Sequence, residues 1–231
     1  MTDIHKKKTG DYLHAVARAG LGAIPVAGAA ATELLNLLIT PPLEKRREKW
    51  MTEIGMILKK LEENKGIDLE SLRDNDIFID TVLVATQAAL RTSEKGKIEY
   101  FKNVIINSAL SEQPEQSLIQ IFLNLIETFT IWHIKILKFF DDPKTWFHSN
   151  NRKISNYIYL GLSDILEDAY PELKVKADFY NLIWLDLSRA GLHNTGSLKG
   201  IISSSGLLVS RTTDLGKQFL DFISNPIENK K

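Results

Sequence analysis

The sequence predicts an all-α fold: a multi-helix bundle whose C-terminal end is a winged-helix-like module with a small β-hairpin. Three observations support this prediction. Apolar residues recur every three or four positions along most of the chain, and helix-capping residues, prolines and glycines separate these runs. Hydrophobic residues make up 44% and charged residues 25% of the 231 residues, which is typical of a chain that folds in water. A Gly- and Ser-rich loop followed by a short extended run occurs in the last third.

The first predicted elements lie in the apolar stretch AGLGAIPVAGAAATELLNLLIT, which starts at Ala19. We expect a break at Pro25, because proline lacks a backbone donor and clashes with the preceding helical turn. A helix then extends over residues 26–39. We expect Pro41 and Pro42 to stop it, and the second proline to begin the next helix, because the first turn does not need that donor.

The central part of the chain predicts further helices, each with one apolar stripe. The acidic segment between Asp68 and Asp80 predicts helix caps and a linker, since it lacks the central glycine and the closing glutamate of a calcium loop. Ser93 and Thr130 are placed to cap two of the helices. The predicted helices are LEKRREKWMTEIGMILKKLEENKG, IFIDTVLVATQAALRT, SEKGKIEYFKNVIINSAL, SLIQIFLNLIETF and IWHIKILKFF.

The C-terminal third predicts the winged-helix-like module. Helices through NYIYLGLSDILEDAY and ELKVKADFYNLIWLDLSRAGL come first, and the loop GSLKGIISSSG follows them. Leu207–Arg211 would then form the returning wing strand. Thr213 would cap the last helix just ahead of Asp214, whose negative charge suits the positive end of the helix dipole.

The polar break SEQPEQ divides the predicted helices into two modules. We expect an N-terminal helical module over residues 1–110, which includes the small-residue apolar helices. The second module covers residues 111–231 and ends in the winged-helix-like part. A chain of 231 residues is long enough to give each module its own core.

The search for chemistry predicts that the protein is not an enzyme. The chain has no cysteine, and its five histidines are widely scattered. It contains none of the short motifs of zinc proteases, serine hydrolases or nucleotide-binding loops. We expect His133 to be held by a local hydrogen bond, and the adjacent Asp141 and Asp142 to serve a helix end before Pro143. The sequence therefore predicts no catalytic residue, metal site, cofactor or small-molecule substrate.

Several stretches together resemble a known family. They are the small-residue apolar N-terminal helix, ALRTSEKGKIEYFKNVIINSAL, FLNLIETFTIWHIKILKFF and TTDLGKQFLDFI. From Leu43 to Ile223 this pattern is similar to the Abi-alpha type of prokaryotic domain, named after abortive-infection systems against phage. The resemblance implies a cytoplasmic protein of bacterial antiviral defence that is not an enzyme and acts through contacts with a protein partner or with itself. It carries no functional residue across.

A second interpretation is a winged-helix regulator that binds DNA. The 29 basic residues balance 29 acidic ones, so binding to nucleic acid must rest on a local patch. A set of basic side chains in the C-terminal module could contact phosphates. They are Lys174, Lys176, Arg189, Lys199 and Arg211.

The second helix of this module also carries features that disfavour DNA binding. Glu172, Asp178 and Asp186 alternate with its basic residues, whereas DNA-binding helices usually present a denser basic face. We expect the apolar residues of the helix to be core contacts. They are Phe179, Leu182, Ile183, Leu185 and Leu187.

A third interpretation is that residues 11–39 insert into a membrane on activation. Alanines at four-residue spacing let helices approach closely in lipid. Against a permanent span, Pro25 divides the stretch and Glu33 costs about 3 kcal/mol near a bilayer centre. The competing packing hypothesis turns Glu33 and Asn36 outwards and buries the four leucines Leu34, Leu35, Leu37 and Leu38. The residues on which the two hypotheses depend are Pro25, Gly28, Glu33 and Asn36.

Overall fold

The computed structural model describes residues 24–110, 113–154, 160–203 and 206–226. Most of these residues are helical, so the prediction of an all-α fold is confirmed. The chain divides into two compact units, Met1–Thr52 and Glu53–Lys231. This division differs from the predicted boundary at residue 110, and helices from both sides of residue 110 pack together within the second unit. The part of the segment 11–39 that precedes Ile24 lies outside the described residues.

The elements of the described residues follow one another with short connections. The helices are α1 (Ile24–Lys65), α2 (Leu69–Leu72), α3 (Asp76–Arg91), α4 (Lys95–Ser108), α5 (Gln116–Thr128), α6 (Ile131–Asp141), α7 (Pro143–Ser149), α8 (Leu162–Ala169), α9 (Ala177–Arg189) and α10 (Asp214–Phe222). A turn of 3₁₀ helix, Pro171–Leu173, connects α8 to α9, and the two strands are β1 (Leu160–Gly161) and β2 (Ile201–Ile202).

The three prolines of helix α1 occupy two kinds of position. Pro25 lies in the first turn, where a backbone N–H has no acceptor within the helix, and the residues on the other side of the predicted break lie outside the described ones. Pro41 and Pro42 lie inside the helix, and the prediction that they stop it is wrong. The residues around them are exposed, so water can bind the carbonyls that the prolines leave without a donor.

The described side chains between Thr32 and Lys49 on α1 are exposed. Glu33 and Asn36 face solvent, in line with the packing hypothesis. However, the exposed fractions of Leu34, Leu37 and Leu38 are 45%, 67% and 63%, so the core contacts predicted for them do not form. This part of α1 therefore presents a run of large apolar side chains on its surface. Gly28 lies within the same helix.

The core of the second unit begins with α3, α4 and α5, which pack against one another. The predicted stripe on α4 is buried, with Phe101, Val104 and Ile105 almost inaccessible to solvent. Burying a side chain of this size contributes about 1.5–3 kcal/mol. Helix α6 continues the core by packing against α9 and α10, and the ring centroids of Phe122 and Phe219 lie 5.4 Å apart. One apolar interior thus runs from α3 to α10.

Local hydrogen bonds set several helix starts. Asp68 and Asn75 accept backbone N–H groups in the first turns of α2 and α3, which agrees with the caps predicted in the acidic segment. Thr213 is the N-cap of α10, and its hydroxyl accepts the N–H of Gly216 at 3.1 Å, so this prediction is also confirmed. The prediction for α4 is wrong by one residue, because its N-cap position is Glu94.

The C-terminal part differs from the prediction at its strands. Of the residues predicted as a wing strand, Leu207–Arg211, the first three form a turn and a bend and the last two have no regular structure. The backbone N–H of Arg211 donates to the carbonyl of Phe140 on α6. Instead, β2 pairs antiparallel with β1, which precedes α8, so Leu160 lies opposite Ile202. The predicted wing hairpin of neighbouring strands is therefore absent from the described residues. Helix α8 begins only at Leu162, because β1 takes up residues predicted as helical.

The described helices can be compared with the length and apolar composition that a membrane-spanning helix needs. No single one of them is both long enough and apolar enough to cross a bilayer. Helices α5 and α6 meet the apolar requirement only together, and their axes bend by 118° at the break between them.

Candidate protein-interaction surface

Helix α9 has apolar side chains on two opposite sides. Tyr180, Ile183, Trp184 and Leu187 are buried against the rest of the second unit. At 100° per residue, Asp178, Leu182, Leu185 and Arg189 lie within about 60° of one another, on the opposite side of the helix. All four are exposed, including 56% of Leu182 and 46% of Leu185. We name these four residues the α9 stripe.

The buried side of α9 is fixed by specific hydrogen bonds. The indole Nε1 of Trp184 donates to the carbonyl of Gly196 at 2.7 Å, and the hydroxyl of Tyr180 donates to Glu167 Oε1 at 2.8 Å. Burial, together with this hydrogen bond and the Glu167 charge, raises the pKa of Tyr180 to about 12. The hydroxyl is therefore a permanent donor at physiological pH, and it ties α9 to α8.

The end of α9 is a Schellman motif. Gly191 has a φ of +73°, and its N–H donates to the carbonyl of Ser188 at 2.9 Å. The N–H of Leu192 donates to the carbonyl of Leu187 at 3.0 Å, and both leucine side chains are fully buried. This pattern satisfies the last carbonyls of a helix and fixes the direction of the chain that leaves it.

His193 lies beneath α9 and completes its attachment. Its ring stacks on Trp184 with centroids 3.5 Å apart, and Nε2 lies 2.7 Å from the carbonyl oxygen of Trp184. The N–H of Thr195 donates to Nδ1 at 3.2 Å, so Nε2 is the nitrogen that carries the hydrogen in the neutral ring. Burial lowers the pKa of His193, which keeps the ring uncharged at neutral pH.

Aromatic side chains border the start of α9. The ring of Phe179 meets that of Trp132 edge to face, with centroids 6.4 Å apart, and Trp132 meets Tyr170 in the same way at 5.4 Å. Lys135 Nζ lies 4.7 Å from the Trp132 ring centroid, a cation–π distance. Val175, in the turn before α9, is 92% exposed. Of these groups, the aromatic side chains are a type enriched in protein interfaces.

The hydroxyl of Thr130, the imidazole of His133 and the carboxylate of Asp186 lie close together, and the contact between Thr130 and His133 is a helix cap. Thr130 is the N-cap of α6, and its backbone N–H donates to His133 Nδ1 at 3.1 Å. The Thr130 hydroxyl lies 2.9 Å from the same nitrogen, and Asp186 Oδ2 lies 3.6 Å from His133 Nε2. Burial lowers the pKa of His133, although Asp186 opposes this shift. The local hydrogen bond predicted for His133 is confirmed.

The basic residues predicted for DNA binding do not form one patch. Lys174 and Lys176 are exposed in the turn before α9, and Arg189 lies at its other end, 3.4 Å from Asp186. Lys199 is exposed in a turn near β2. Arg211 is only partly exposed: its guanidinium donates to the carbonyl of Gly206, and its Nε is buried. Arg211 is therefore engaged in holding a turn.

The adjacent carboxylates at the end of α6, Asp141 and Asp142, both interact with other helices. Asp142 is the N-cap of α7, and its hydrogen bonds from Thr145 lower the pKa of Asp142. Burial raises the pKa of Asp221 on α10, and the negative charge of nearby Asp141 raises it further. Among the described residues, no three histidine, cysteine or acidic side chains are placed to share a metal ion.

Sequence reasoning missed the α9 stripe because it assigned every apolar residue of the helix to the core. Ile183 and Leu187 are buried as predicted, but the prediction is wrong for Phe179, Leu182 and Leu185, which are exposed. A helical projection places Leu182 and Leu185 opposite Ile183 and Leu187, but it does not show which of the two sides the core uses. Comparisons with family models, curated proteins and solved structures find no match for this chain.

Proposed function

We propose that the protein is a non-enzymatic component of bacterial defence against phage, and that it acts in the cytoplasm by binding a protein through the α9 stripe. The observation that carries this proposal is the exposure of Leu182 and Leu185 on a helix whose opposite side is firmly anchored. The link to defence rests on the resemblance to the Abi-alpha type of domain.

The composition of the surface supports a protein partner over duplex DNA. In a winged-helix-like C-terminal module, α9 would be the helix that enters the major groove. Its outward stripe contains one acid, two leucines and one arginine, whereas a groove-binding helix presents several cations to the phosphates. An apolar centre flanked by charges is typical of a protein interface.

The proposal is tested by replacing both exposed leucines with serine and measuring protection from phage. We expect the Leu182→Ser/Leu185→Ser variant to fold, since neither side chain belongs to the core, but to lose protection in cells that express it. The matched control is Leu83→Ser on α3, which removes another leucine that is 55% exposed. Full protection by the double variant would contradict the role of the α9 stripe.

A second candidate function is membrane association through α1. Leu34, Leu37, Leu38 and Ile39 are all exposed, and a basic run follows them on the same helix. Exposed apolar side chains beside cations are the combination that binds anionic lipid surfaces. The exposed basic side chains are Lys45, Arg46, Arg47 and Lys49.

Vesicle flotation tests this second candidate. Binding of the full chain to vesicles of phosphatidylglycerol and phosphatidylethanolamine, with weaker binding by Leu37→Ser/Leu38→Ser, is the expected result. Glu33→Leu should strengthen binding, because it removes the charge that opposes burial in lipid. Equal recovery of wild type and both variants in the lipid-free fraction would exclude the candidate.

A further inference from the structure

We infer that the partner of the α9 stripe is a second copy of this chain, bound with the two α9 helices antiparallel. This inference rests on the proposed function, because it names the partner of the same surface. It is carried by the order of the exposed side chains, which reads acid, leucine, leucine, base from the start of α9 to its end.

The spacing of the stripe is that of a coiled-coil contact. Asp178, Leu182, Leu185 and Arg189 follow one another at intervals of four, three and four residues, which is the alternation of the a and d positions of a heptad. The residues that attach α9 to its own unit occupy the opposite side of the helix. The stripe is therefore centred on the most outward line of α9, where a second helix can lie along it.

The charges select the antiparallel orientation. When two α9 helices run in opposite directions, Leu182 of one copy meets Leu185 of the other, and this contact occurs twice. Asp178 then meets Arg189 of the second copy at each end of the helix pair. In a parallel pair the like charges would face each other, with Asp178 against Asp178 and Arg189 against Arg189, which is unfavourable. The stripe is thus complementary to itself in one direction only.

The residues beside the stripe are compatible with this arrangement. In the antiparallel register, Phe179 of one copy lies beside Asp186 of the other, and Asn181 lies beside Ser188. Neither pairing brings like charges together. Within its own chain, Arg189 Nη1 is 3.4 Å from Asp186 Oδ1, a long contact that leaves guanidinium N–H groups for Asp178 of the second copy.

The size of the surface sets the strength that we expect. A contact between two helices of 13 residues each is small compared with the interfaces of stable dimers, so the dimer should be weak and concentration-dependent. Its dissociation constant should lie at roughly tens to hundreds of micromolar, the range of transient complexes. Self-association at such a threshold responds to the amount of protein in the cell.

Charge reversal in the full-length protein tests the inference by sedimentation equilibrium over a series of concentrations. Asp178→Arg alone and Arg189→Asp alone should each weaken the dimer by about tenfold or more, because each places like charges in contact twice. The double variant Asp178→Arg/Arg189→Asp should recover the wild-type constant. An equimolar mixture of the two single variants should form a heterodimer, since one copy then carries two arginines and the other two aspartates. Lys217→Glu, an exposed change on α10, is the control.

The outcomes separate the inference from the proposed function. A wild type that stays monomeric throughout the series, or single variants that dimerise like the wild type, would overturn the inference. If Leu182→Ser/Leu185→Ser then still abolishes phage protection, the stripe binds a different protein and the proposed function stands. If dimerisation follows the charge pattern but the leucine variant protects fully, the inference stands and the proposed function fails.

Discussion

Among the described glycines, Gly216 has the least room for a side chain. An added Cβ would overlap the carbonyl oxygen of Leu192 and lie 2.5 Å from Thr212 Cγ2. Helix α10 can approach the end of α9 this closely only because residue 216 has no side chain. The sequence shows a glycine inside a helical run, where glycine ordinarily weakens the helix, but it cannot show which backbone lies against it.

The Gly216→Ala variant should lower the free energy of unfolding by about 1–3 kcal/mol, the usual cost of overpacking. Gly55→Ala on α1 is the matched control, because no atom lies within 4 Å of its added Cβ. That change should raise stability by about 0.5–1 kcal/mol through helix propensity. Urea titration measures both differences. A neutral or stabilising effect of Gly216→Ala would mean that α10 and α9 do not approach so closely.

The two buried histidines predict a specific loss of stability in acid. Burial lowers the pKa values of His133 and His193 below the ordinary value of 6.5, so the unfolded chain binds protons before the folded chain does. The contribution of the two histidines to the free energy of unfolding should therefore have its full value above about pH 6.5. It should fall as the pH decreases toward the folded-state pKa values.

Thermal unfolding between pH 7.5 and pH 5 measures this dependence. His193→Gln and His133→Gln should each reduce the fall in midpoint temperature, since neither variant has a ring to protonate at that site. His148→Gln, which changes an exposed histidine, should leave the dependence as it is in the wild type. The same slope in all four proteins would assign the acid sensitivity to other groups.

Among the elements, α1 and α4 are joined by a lysine between two glutamates. Lys102 Nζ lies 2.8 Å from Glu53 Oε2 on α1 and 2.6 Å from Glu99 Oε1 on α4. Burial works against the charge, but the hydrogen bonds that Lys102 donates to both glutamates, together with their negative charges, outweigh it and raise the pKa of Lys102. The lysine stays protonated in the folded protein and bridges the two helices.

Lys102→Met should destabilise the protein by about 1–2 kcal/mol, because it leaves Glu53 partly buried without its cation. The exposed pair between Arg73 and Glu70 provides the comparison, since its atoms are similarly close at 2.8 Å but lie in solvent. Arg73→Met should change stability by about 0–1 kcal/mol. Equal effects of the two variants would show that burial does not strengthen the Lys102 contact.

The sequence predicts the elements unequally, for physical reasons. Regular helices such as α4, α5 and α6 follow from local periodicity, and the cap at Thr213 follows from local hydrogen bonding. The β1–β2 ladder joins residues about forty positions apart, so no local pattern reveals it. Leu207–Arg211 looks extended in sequence, but its first residues turn back, with the N–H of Val209 donating to the carbonyl of Gly206, and its last residue bonds to Phe140 on α6.

The charge balance of the whole chain leads to a direct test of the DNA-binding interpretation. The acidic and basic residues are equal in number, and around α9 the basic residues Lys174, Lys176 and Arg189 are interspersed with acidic ones. We expect the protein to bind duplex DNA weakly and without sequence preference, because the affinity of non-specific complexes follows the number of phosphates neutralised.

The Lys174→Glu/Lys176→Glu variant should therefore lose only the small non-specific affinity that its change of charge removes, with no larger loss per lysine than in the control Lys217→Glu across a salt series. Fluorescence anisotropy of a labelled duplex measures the affinity. Tight, salt-sensitive binding by the wild type that disappears only in the double lysine variant would support the winged-helix regulator over a protein-binding surface.

The candidate surface could be predicted only in part from the sequence as a whole. The resemblance led us to expect a protein that acts through protein contacts, but no sequence motif indicated that α9 would carry the contact surface. A leucine contributes the same pattern to a sequence whether it faces the core or a partner. Distinguishing the two requires knowing which side of the helix the core has already occupied, and that depends on Trp184, His193 and Gly196, which come together only in three dimensions.

The opposite faces of α9 separate the contacts that hold the fold from the surface that we propose binds a partner. The buried face holds the helix through its own hydrogen bonds and ring stacking, while the outward face makes no contribution to that attachment. Substitutions on the outward face are thus nearly free of folding cost, and variation can accumulate there. In the defence role that we propose, this separation would allow the binding surface to vary while the core contacts of α9 stay the same.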